Sequence, residues 1–443
     1  MGKKILVVTQ HFWPENFRIS DIVDGFLADG IAVDVLCGLP NYPQGEWFAG
    51  YSAQGPWEED FHGAHVYRCR EIPRTGNTSA RIFLNYISWP WHARWALSRL
   101  PGGYDAILCY NTSPVLMSWP AIHAARRFHA PLTNYVLDIW PENLYSVLHV
   151  RSRLLRAVAL GVSDWHYRRA DRLIAMSPGL AERLRARVGT ANAHVRAMRY
   201  AVIPQYCEDF YAVPACDEAL RRQNGGRFTL LFAGNFSPAQ SLETALAAMA
   251  LLRAQAAADP QDTVRNVRDE NGQAVPRLQL LLVGDGMSRA ALEQSVLQQG
   301  LQDCVTFYGS VPPQRIPALA GACDALLVSL SDSPDLGLTI PAKLASCMAM
   351  GKPLLVSLNG EGAAAAAQSG GALVSAACDA PALADHFLAL ARMDAAQRAA
   401  MGQDARQYYE THYRRAELLR RLEDFLLAPQ NAGTAHNTTE KDG

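Results

Sequence analysis

The sequence predicts an α/β protein built from two Rossmann-like domains. Short, continuously apolar segments alternate with segments of 3.6-residue periodicity such as DIVDGFLADG and LETALAAMALLRAQ. Strands that are apolar throughout and separated by helices are typical of parallel sheets covered on both faces. The pattern starts again near Phe228, and a chain of 443 residues has room for two such domains.

The predicted elements follow one another regularly along the chain. The first predicted strands are KILVVT, VDVLC, HVYRC, DAILCY, LTNYVL and RLIAM, and they are followed by YAVIP, FTLLFAG, LQLLLVGDG, VTFYGS, ALLVSL, PLLVSL and GALVSA. We place the first domain at residues 1–203, the second at 204–410, an amphipathic helix (AELLRRLEDFLL) at 411–428 and a disordered tail at 429–443. The polar stretch 256–276 is predicted to be a surface insertion. Two domains of this kind that face each other form a cleft at the carboxyl ends of their strands, where ligands bind.

Composition narrows the possible functions. A net charge of -1 argues against a general nucleic-acid-binding protein. The nine cysteines are scattered and never form CxxC, which indicates a reducing compartment and neither a zinc site nor a disulfide framework. No uncharged apolar run approaches the roughly 20 residues of a membrane span. We therefore expect a cytoplasmic protein.

Polar residues follow two strands of the first half. Asp138 and Glu142 lie just beyond LTNYV and are candidates for acid–base or hydroxyl-binding roles; a capping aspartate and a surface glutamate are the alternatives. HFWPENFR follows the first strand, and the aromatic loop NYPQGEWFAGY suits a sugar face or a lipid headgroup. The predicted acceptor-binding residues are Glu15, Asn16, Arg18, Asn41 and Tyr42.

Two segments interleave aromatic and basic residues, RIFLNYISWPWHARWALSRL and RSRLLRAVALGVSDWHYRRADR. Arginine pairs with anionic lipid headgroups, and Trp and Tyr favour the membrane interface. These segments predict peripheral contact with anionic membrane lipid. For the first segment, the alternative is a core helix with a basic outer face.

The turn after FTLLFA suits a phosphate group. Gly234 lets the backbone approach a ligand, Asn235 and Gln240 follow it, and a helix is predicted to begin near Ser241. A strand, a small-residue turn and a helix N-terminus together form a phosphate-binding geometry. The alternative is an ordinary turn in which Ser and Gln cap the helix.

A second glycine turn, VGDGMSRAALE, follows the apolar run LQLLL. Gly284 and Gly286 lack the third glycine of a dinucleotide-binding fingerprint, and no ribose-binding acid follows at the expected distance. The motif is therefore a weak signal for a dehydrogenase.

The segment IPAKLASCMAMGKPLLV places a lysine at a helix N-terminus. Pro341 suits a first helical turn, and Lys343 follows two residues later, near the N-terminus of the helix KLASCMAM. The helix dipole disfavours a cation there, so the lysine makes sense if it shares a bound phosphate with the helix N–H groups. A solvated surface lysine is the alternative. Gly351 is predicted to end the helix, and Pro353 to begin a buried strand.

These segments together resemble glycosyltransferase family 4, whose members are retaining, metal-independent GT-B enzymes. ILVVTQHFWPENFR, GLPNYPQGEWFAGY, RLIAMSPGLAERL, GNFSPAQSLETAL, LLLVGDGMSRAALE and PAKLASCMAMGKPLLV follow the family's order. The chain is most similar to the colanic-acid and O-antigen branch of fucosyl and N-acetylfucosaminyl transferases. The resemblance implies transfer of a sugar from a UDP- or GDP-linked donor, bound by the second domain, to a lipid-linked or saccharide acceptor, bound by the first. It implies no cofactor, no metal and a place on the inner face of the bacterial membrane.

The sequence departs from the family pattern at the donor site. The family's Glu-x7-Glu pair falls at Leu338 and Ser346, and its diphosphate-binding Arg and Lys fall at Asn235 and Gln240. Lys343 is then the remaining cation for the diphosphate. The predicted catalytic residues are Asp138, Glu142 and Lys343, and the predicted donor-binding residues are Gly234, Asn235, Gln240, Gly284, Asp285, Tyr308, Val311, Lys343 and Ser346. A nucleotide-sugar epimerase of similar fold and a non-catalytic nucleotide-sugar-binding protein are the alternative functions.

Overall fold

The computed structural model describes residues 2–43, 45–141, 152–268 and 274–429. It divides the chain into two compact units. The first comprises Met1–Ile203 together with the C-terminal segment that begins at Leu418, and the second comprises Pro204–Glu417. Each unit is a Rossmann-like α/β domain with a mostly parallel sheet, which confirms the predicted fold class.

The first unit contains an eight-stranded sheet in the order β3-β4-β2-β1-β5-β6-β7-β8. Its strands are β1 (Lys4–Val8), β2 (Ala32–Gly38), β3 (Glu58–Phe61), β4 (Ala64–Cys69), β5 (Ala106–Asn111), β6 (Leu132–Val136), β7 (Arg172–Ala175) and β8 (Arg199–Val202). Neighbouring strands are parallel except β3 and β4, which are antiparallel. β5 and β6 are buried at every position, as expected of inner strands covered on both faces.

Helices connect these strands. They span Ile19–Ala28, Ser79–Ala96, Ser118–Phe128, Arg153–Tyr167, Pro178–Val188 and Ala193–Arg196. The helix Ile19–Ala28 shows why such segments fold as they do, since it buries Ile19, Ile22, Val23 and Phe26. This i, i+3, i+4, i+7 spacing forms one apolar face, which packs on the sheet.

The second unit contains a six-stranded parallel sheet in the order β13-β12-β9-β14-β15-β16. These strands are β9 (Phe228–Ala233), β12 (Leu278–Val283), β13 (Val305–Gly309), β14 (Ala325–Ser329), β15 (Leu354–Ser357) and β16 (Ala372–Ser375). Leu230 and Phe232 of β9 enter one apolar cluster while Leu231 enters another. Because successive side chains of a strand point to opposite faces, both faces of this sheet are covered.

The helices of the second unit span Glu218–Gln223, Leu242–Ala258, Arg289–Gln298, Ile316–Gly321, Ala342–Ala349, Gly360–Gln368, Ala380–Arg392 and Ala395–His412. The predicted surface insertion contains a small antiparallel hairpin, β10 (Asn266–Arg268) with β11 (Ala274–Pro276). This hairpin was not predicted, because its polar residues form no apolar run.

The C-terminal helix Arg415–Leu427 packs within the first unit from Leu418 onward. It buries Leu418, Leu419, Leu422 and Leu426. Gly25 faces Leu419 so closely that a Cβ at that position would lie 2.7 Å from Leu419 Cδ1. The predicted tail lies outside the described residues beyond Pro429. No described helix is both long enough and apolar enough to cross a membrane.

Candidate functional site

Two glycine turns, at the carboxyl ends of β9 and β12, are joined by backbone hydrogen bonds. Gly234 N donates to Val283 O at 2.9 Å, and Phe236 N donates to Asp285 O at 2.8 Å. Gly284 has a φ of +136°, and a Cβ there would lie 1.9 Å from Gly234 O. Only glycine fits such a close backbone contact. The turns predicted as GNF and GDG motifs therefore form one surface.

Lys343 reaches this surface from the helix Ala342–Ala349. Its Nζ donates to Gln240 Oε1 at 2.7 Å and lies 3.6 Å from the centroid of the Phe232 ring. A Cβ on residue 234 would lie 2.7 Å from Nζ, so Gly234 leaves room for the ammonium group. Three of the predicted donor-binding residues, Gly234, Gln240 and Lys343, are thus brought together.

The electrostatics of Lys343 are unusual. The side chain is half-buried, and burial lowers its pKa to about 7, because loss of hydration penalises the charged form. Among the described residues, no carboxylate forms an ion pair with Lys343. A bound anion would supply the missing counter-charge and restore the ammonium form.

The helix predicted as KLASCMAM carries Lys343 near its N-terminus, as expected. Pro341 is the N-cap residue, and the helix starts at Ala342, so Lys343 is its second residue. No side chain caps this N-terminus, which leaves its first N–H groups available for an anion. The predicted helix end is confirmed, because Gly351 has a φ of +64° two residues after Ala349.

A second N-terminus lies beside the same surface. The predicted helix after Gln240 starts at Leu242, preceded by a short 3-10 turn, Pro238–Gln240. Ser241 adopts a left-handed conformation, with a φ of +46°. Its hydroxyl lies 2.8 Å from Thr244 Oγ1 and forms no cap with a backbone N–H group.

The loops after β14, β15 and β16 are tied to this site by hydrogen bonds. Ser331 N donates to Ala239 O at 2.9 Å, next to Gln240. Asn359 Nδ2 donates to Asp332 Oδ1 at 3.0 Å, and Asn359 Oδ1 accepts from Ala377 N at 3.1 Å. The loop after β14, residues 331–335 (SDSPD), thus lies beside the candidate donor site. Among the described residues, no group of three or more His, Cys, Asp or Glu side chains is placed to hold a metal ion.

The remaining predicted donor-binding residues differ in solvent exposure and in their hydrogen bonds. Tyr308 is exposed on β13, while Val311 is half-buried against the apolar core. Asp285 is exposed and accepts a hydrogen bond from Gly286 N at 2.7 Å. Ser346 is buried, and its hydroxyl donates to Ala342 O at 3.4 Å within its own helix. Phe232, against which Lys343 packs, was not predicted as a site residue. The one feature of the sequence that could have indicated it is its position next to the last residue of β9.

In the first unit, Glu15 joins two loops. Its Oε1 accepts hydrogen bonds from the backbone N–H groups of Asn41 at 2.8 Å and Tyr42 at 2.7 Å. Its Oε2 lies 2.9 Å from His11 Nδ1. The Glu15 and His11 side chains are only 1% and 3% exposed. Glu15 therefore positions the loops after β1 and β2.

A second buried carboxylate, Glu71, extends this network and was not predicted. Glu71 accepts hydrogen bonds from Asn41 Nδ2 at 2.7 Å, Gln10 Nε2 at 2.6 Å and Asn85 Nδ2 at 3.2 Å. Burial, reinforced by the negative charge of Glu15, raises the pKa of Glu71 well above its usual range.

The other predicted residues of the first unit occupy varied positions. Asn16 is exposed, Arg18 is half-buried, and the partly exposed Tyr42 ring lies 5.3 Å from the Arg74 guanidinium. Asp138 is half-buried just beyond β6, two strands from β1 in the sheet. Glu142 lies outside the described residues.

Comparison with known families identifies both units. Residues 16–205 match the family described as "Glycosyl transferase 4-like domain", and residues 227–393 match "Glycosyl transferases group 1". A 2-deoxystreptamine glucosyltransferase from Streptomyces kanamyceticus is 28% identical over 189 residues. That match covers 42% of this chain and 43% of the relative, less than half of either protein.

Solved structures share the fold over nearly the whole chain. Sucrose-phosphate synthase from Thermosynechococcus elongatus has a TM-score of 0.69 at 18% identity, covering 96% of this chain and 98% of that one. HepE from Anabaena, in complex with UDP-glucose, has a TM-score of 0.63 at 15% identity, covering 96% and 99%. WaaG, a glycosyltransferase involved in lipopolysaccharide biosynthesis, has a TM-score of 0.62 at 14% identity, covering 96% and 100%. The chain thus matches a glycosyl transferase 4-like domain followed by a glycosyl transferases group 1 domain, and it shares its fold with these solved structures.

Proposed function

We propose that the protein is a hexosyltransferase that moves a sugar from a nucleotide-sugar donor to an acceptor. The observation that carries this proposal is the arrangement of Lys343 in the second unit. A half-buried lysine without a carboxylate partner among the described residues lies beside two glycine turns and an uncapped helix N-terminus. These groups are suited to the diphosphate of a nucleotide sugar. The fold is shared with HepE, whose structure contains UDP-glucose.

The proposed chemistry follows from where charge develops. As the bond between the sugar and the diphosphate breaks, negative charge grows on the leaving phosphate oxygens. Lys343 and the unbonded N–H groups at the N-terminus of the helix Ala342–Ala349 would stabilise that charge without a metal ion. Asp138 or Glu142 would orient the acceptor hydroxyl, and transfer would proceed with retention of anomeric configuration.

The proposed acceptor is lipid-linked, in bacterial surface polysaccharide biosynthesis of the colanic-acid or O-antigen type, with the protein held at the inner face of the membrane. Two helices of the first unit support membrane contact. The helix Ser79–Ala96 exposes five large apolar side chains (Phe83, Leu84, Ile87, Trp91 and Trp95), and Arg153–Tyr167 exposes six (Leu154, Leu155, Val158, Leu160, Val162 and Trp165). Both helices pack against the 3-10 turn Val115–Met117, so they are neighbours.

The test is turnover of a panel of UDP-, GDP- and dTDP-sugars, with and without a membrane extract that carries lipid-linked acceptors. We expect nucleoside diphosphate release that depends on the extract, with the sugar recovered in the lipid fraction. Lys343→Met should reduce turnover by about a hundredfold or more, the size typical of losing one preorganised charge contact. Lys3→Met, an exposed lysine of the first unit, is the matched control.

Other outcomes would support different functions. Interconversion of a free nucleotide sugar without an acceptor would indicate the epimerase. Nucleotide binding without turnover of any donor would indicate a binding protein, and the absent Glu-x7-Glu pair would then explain the inactivity.

A further inference from the structure

A surface cavity of about 270 Å³ lies in the first unit. It is lined by Trp57, which precedes β3, by the end of β4 with the following Arg70, and by His92 and Ala96 of the helix Ser79–Ala96. Arg99, in the 3-10 turn that follows this helix, completes the lining. None of the predicted acceptor-binding residues lines it. The cavity is therefore separate from the loops that Glu15 holds.

Arg70 gives this cavity an uncompensated positive charge. Its guanidinium lies 5.3 Å from the centroid of the Trp57 ring. Among the described residues, no carboxylate forms an ion pair with Arg70, and the side chain is exposed. Stacking on an aromatic ring holds a guanidinium in a fixed orientation while leaving its N–H donors for a ligand.

Arg99 and His92 add further donors. Arg99 is anchored by a hydrogen bond from Nη2 to Arg68 O at 2.7 Å. Its nearest carboxylate, Glu58, is 3.9 Å away and also approaches His65 at 3.3 Å, so it compensates Arg99 only in part. His92 Nδ1 lies 2.7 Å from Ser88 O, so Nδ1 carries a proton; Nε2 is then an acceptor in the neutral ring and a donor to a ligand in the imidazolium form.

An apolar stripe begins beside these cationic groups. The five exposed apolar side chains of Ser79–Ala96 are Phe83, Leu84, Ile87, Trp91 and Trp95. At 3.6 residues per turn they fall within a sector of roughly 120°, and His92 borders that sector at roughly 60° from its edge. The same helix thus carries an exposed apolar stripe and, next to it, His92 of the cationic cavity.

We infer that this cavity binds the terminal phosphate or diphosphate group of a lipid whose apolar chain lies along the stripe. The inference rests on the proposed function, since it assigns a place to the lipid portion of a lipid-linked acceptor. Guanidinium and imidazolium groups match phosphate oxygens in charge and in donor geometry. The adjacent stripe favours a lipid over a free phosphate, because a soluble phosphate makes no use of exposed Trp and Phe side chains.

The experiment compares binding to two kinds of phosphatidylcholine vesicle, one containing polyprenyl phosphate and the other phosphatidylglycerol at matched charge. We expect the native protein to prefer polyprenyl phosphate at least tenfold. Arg70→Gln combined with His92→Gln should abolish this preference, because each loses a charged or polar contact with the phosphate. Arg127→Gln is the matched control, since Arg127 is exposed and lies 5.7 Å from the Phe128 ring, outside the cavity.

Two results would overturn the inference. Equal binding of the native protein to both vesicles would show that the headgroup is not recognised. Inorganic diphosphate that binds the cavity as tightly as polyprenyl phosphate does, with no effect of Trp91→Ser and Trp95→Ser on either, would assign the cavity to a soluble phosphate. The proposed transferase is tested separately: absence of turnover with the lipid preference intact would contradict the transferase alone.

Discussion

A bound anion would determine the charge of Lys343. Its one hydrogen-bond acceptor in the described site is the neutral Gln240 Oε1, and burial lowers its pKa to about 7. A diphosphate beside the ammonium group would raise this pKa again, because an adjacent negative charge favours the protonated form. Nucleotide affinity should therefore weaken as the pH rises above about 7, since the neutral lysine must first be protonated.

This coupling predicts proton uptake on binding. At pH 8, where Lys343 is mostly neutral before binding and charged afterwards, we expect binding of UDP or GDP to take up close to one proton. Calorimetric titration in buffers of different ionisation enthalpy measures this uptake. It should be lost in Lys343→Met and kept in Lys3→Met. Equal uptake in all three proteins would show that Lys343 does not titrate on binding.

At the residue scale, sequence predicted part of this site. Lys343 could be singled out because a cation at a helix N-terminus is unfavourable without an anion. Its packing on Phe232 could not be predicted, since that contact depends on which strands are neighbours. Glu15 and Asn41 were predicted as acceptor ligands because they follow strands. Polar residues at strand ends serve either ligands or loops, and in the structure Glu15 hydrogen-bonds to two backbone N–H groups.

At the scale of the elements, the thirteen apolar runs predicted as strands are all strands in the structure. The strands that were missed, β3, β10 and β11, have no apolar run. β3 has the sequence EEDF and pairs only with β4 at the edge of its sheet. An edge strand needs only one partner strand and one buried face, so it tolerates charged residues. Because of these charged residues, an apolar pattern does not predict the strand.

The helix Arg415–Leu427 illustrates what periodicity cannot specify. Its apolar face was evident, but its partner was not. In the structure its Leu419 lies against Gly25, and Arg172 Nη1 donates to Phe425 O at 3.0 Å. The C-terminal helix, which is distant in sequence from residues 1–203, therefore packs as part of the first unit.

Removal of one leucine from this helix should destabilise the first unit selectively. Leu422 is 1% exposed, so Leu422→Ala should lower the free energy of unfolding of the first unit by about 2–5 kcal/mol. Hydrogen exchange should become faster in Ile19–Ala28 and β7, and remain unchanged in β9 and β14. The exposed Arg420 on the same helix provides the control, Arg420→Ala. Faster exchange in β9 would contradict the assignment of the helix to the first unit.

At the scale of the whole molecule, the apolar surface is unevenly distributed. Of the eighteen large hydrophobic side chains exposed among the described residues, eleven lie on the helices Ser79–Ala96 and Arg153–Tyr167 of the first unit. On the second helix, Leu154, Leu155, Val158, Val162 and Trp165 share one face. The exposed Arg169, two residues after this helix ends, lies 4.6 Å from the centroid of the Trp165 ring. An exposed apolar face with an arginine beside it is typical of a helix that lies in the interface of an anionic membrane.

Membrane binding should therefore depend on this face and on salt. We expect the protein to co-sediment with phosphatidylcholine–phosphatidylglycerol vesicles at low salt, and less at high salt because ions screen the arginines. Leu154 and Leu155 are 74% and 59% exposed. Replacing both with Ser should weaken binding by roughly tenfold or more, as each leucine contributes on the order of 1 kcal/mol when partly inserted.

The second unit offers a control for this experiment, because Leu251 and Leu297 are also exposed, at 41% and 63%. Replacing this pair with Ser removes similar apolar surface away from the proposed membrane face and should leave vesicle binding unchanged. If both double variants bind equally well, the apolar face of Arg153–Tyr167 does not contact lipid. If only the variant with Leu154→Ser and Leu155→Ser loses vesicle binding, the first unit contacts lipid. Such contact is required if the first unit binds a lipid-linked acceptor.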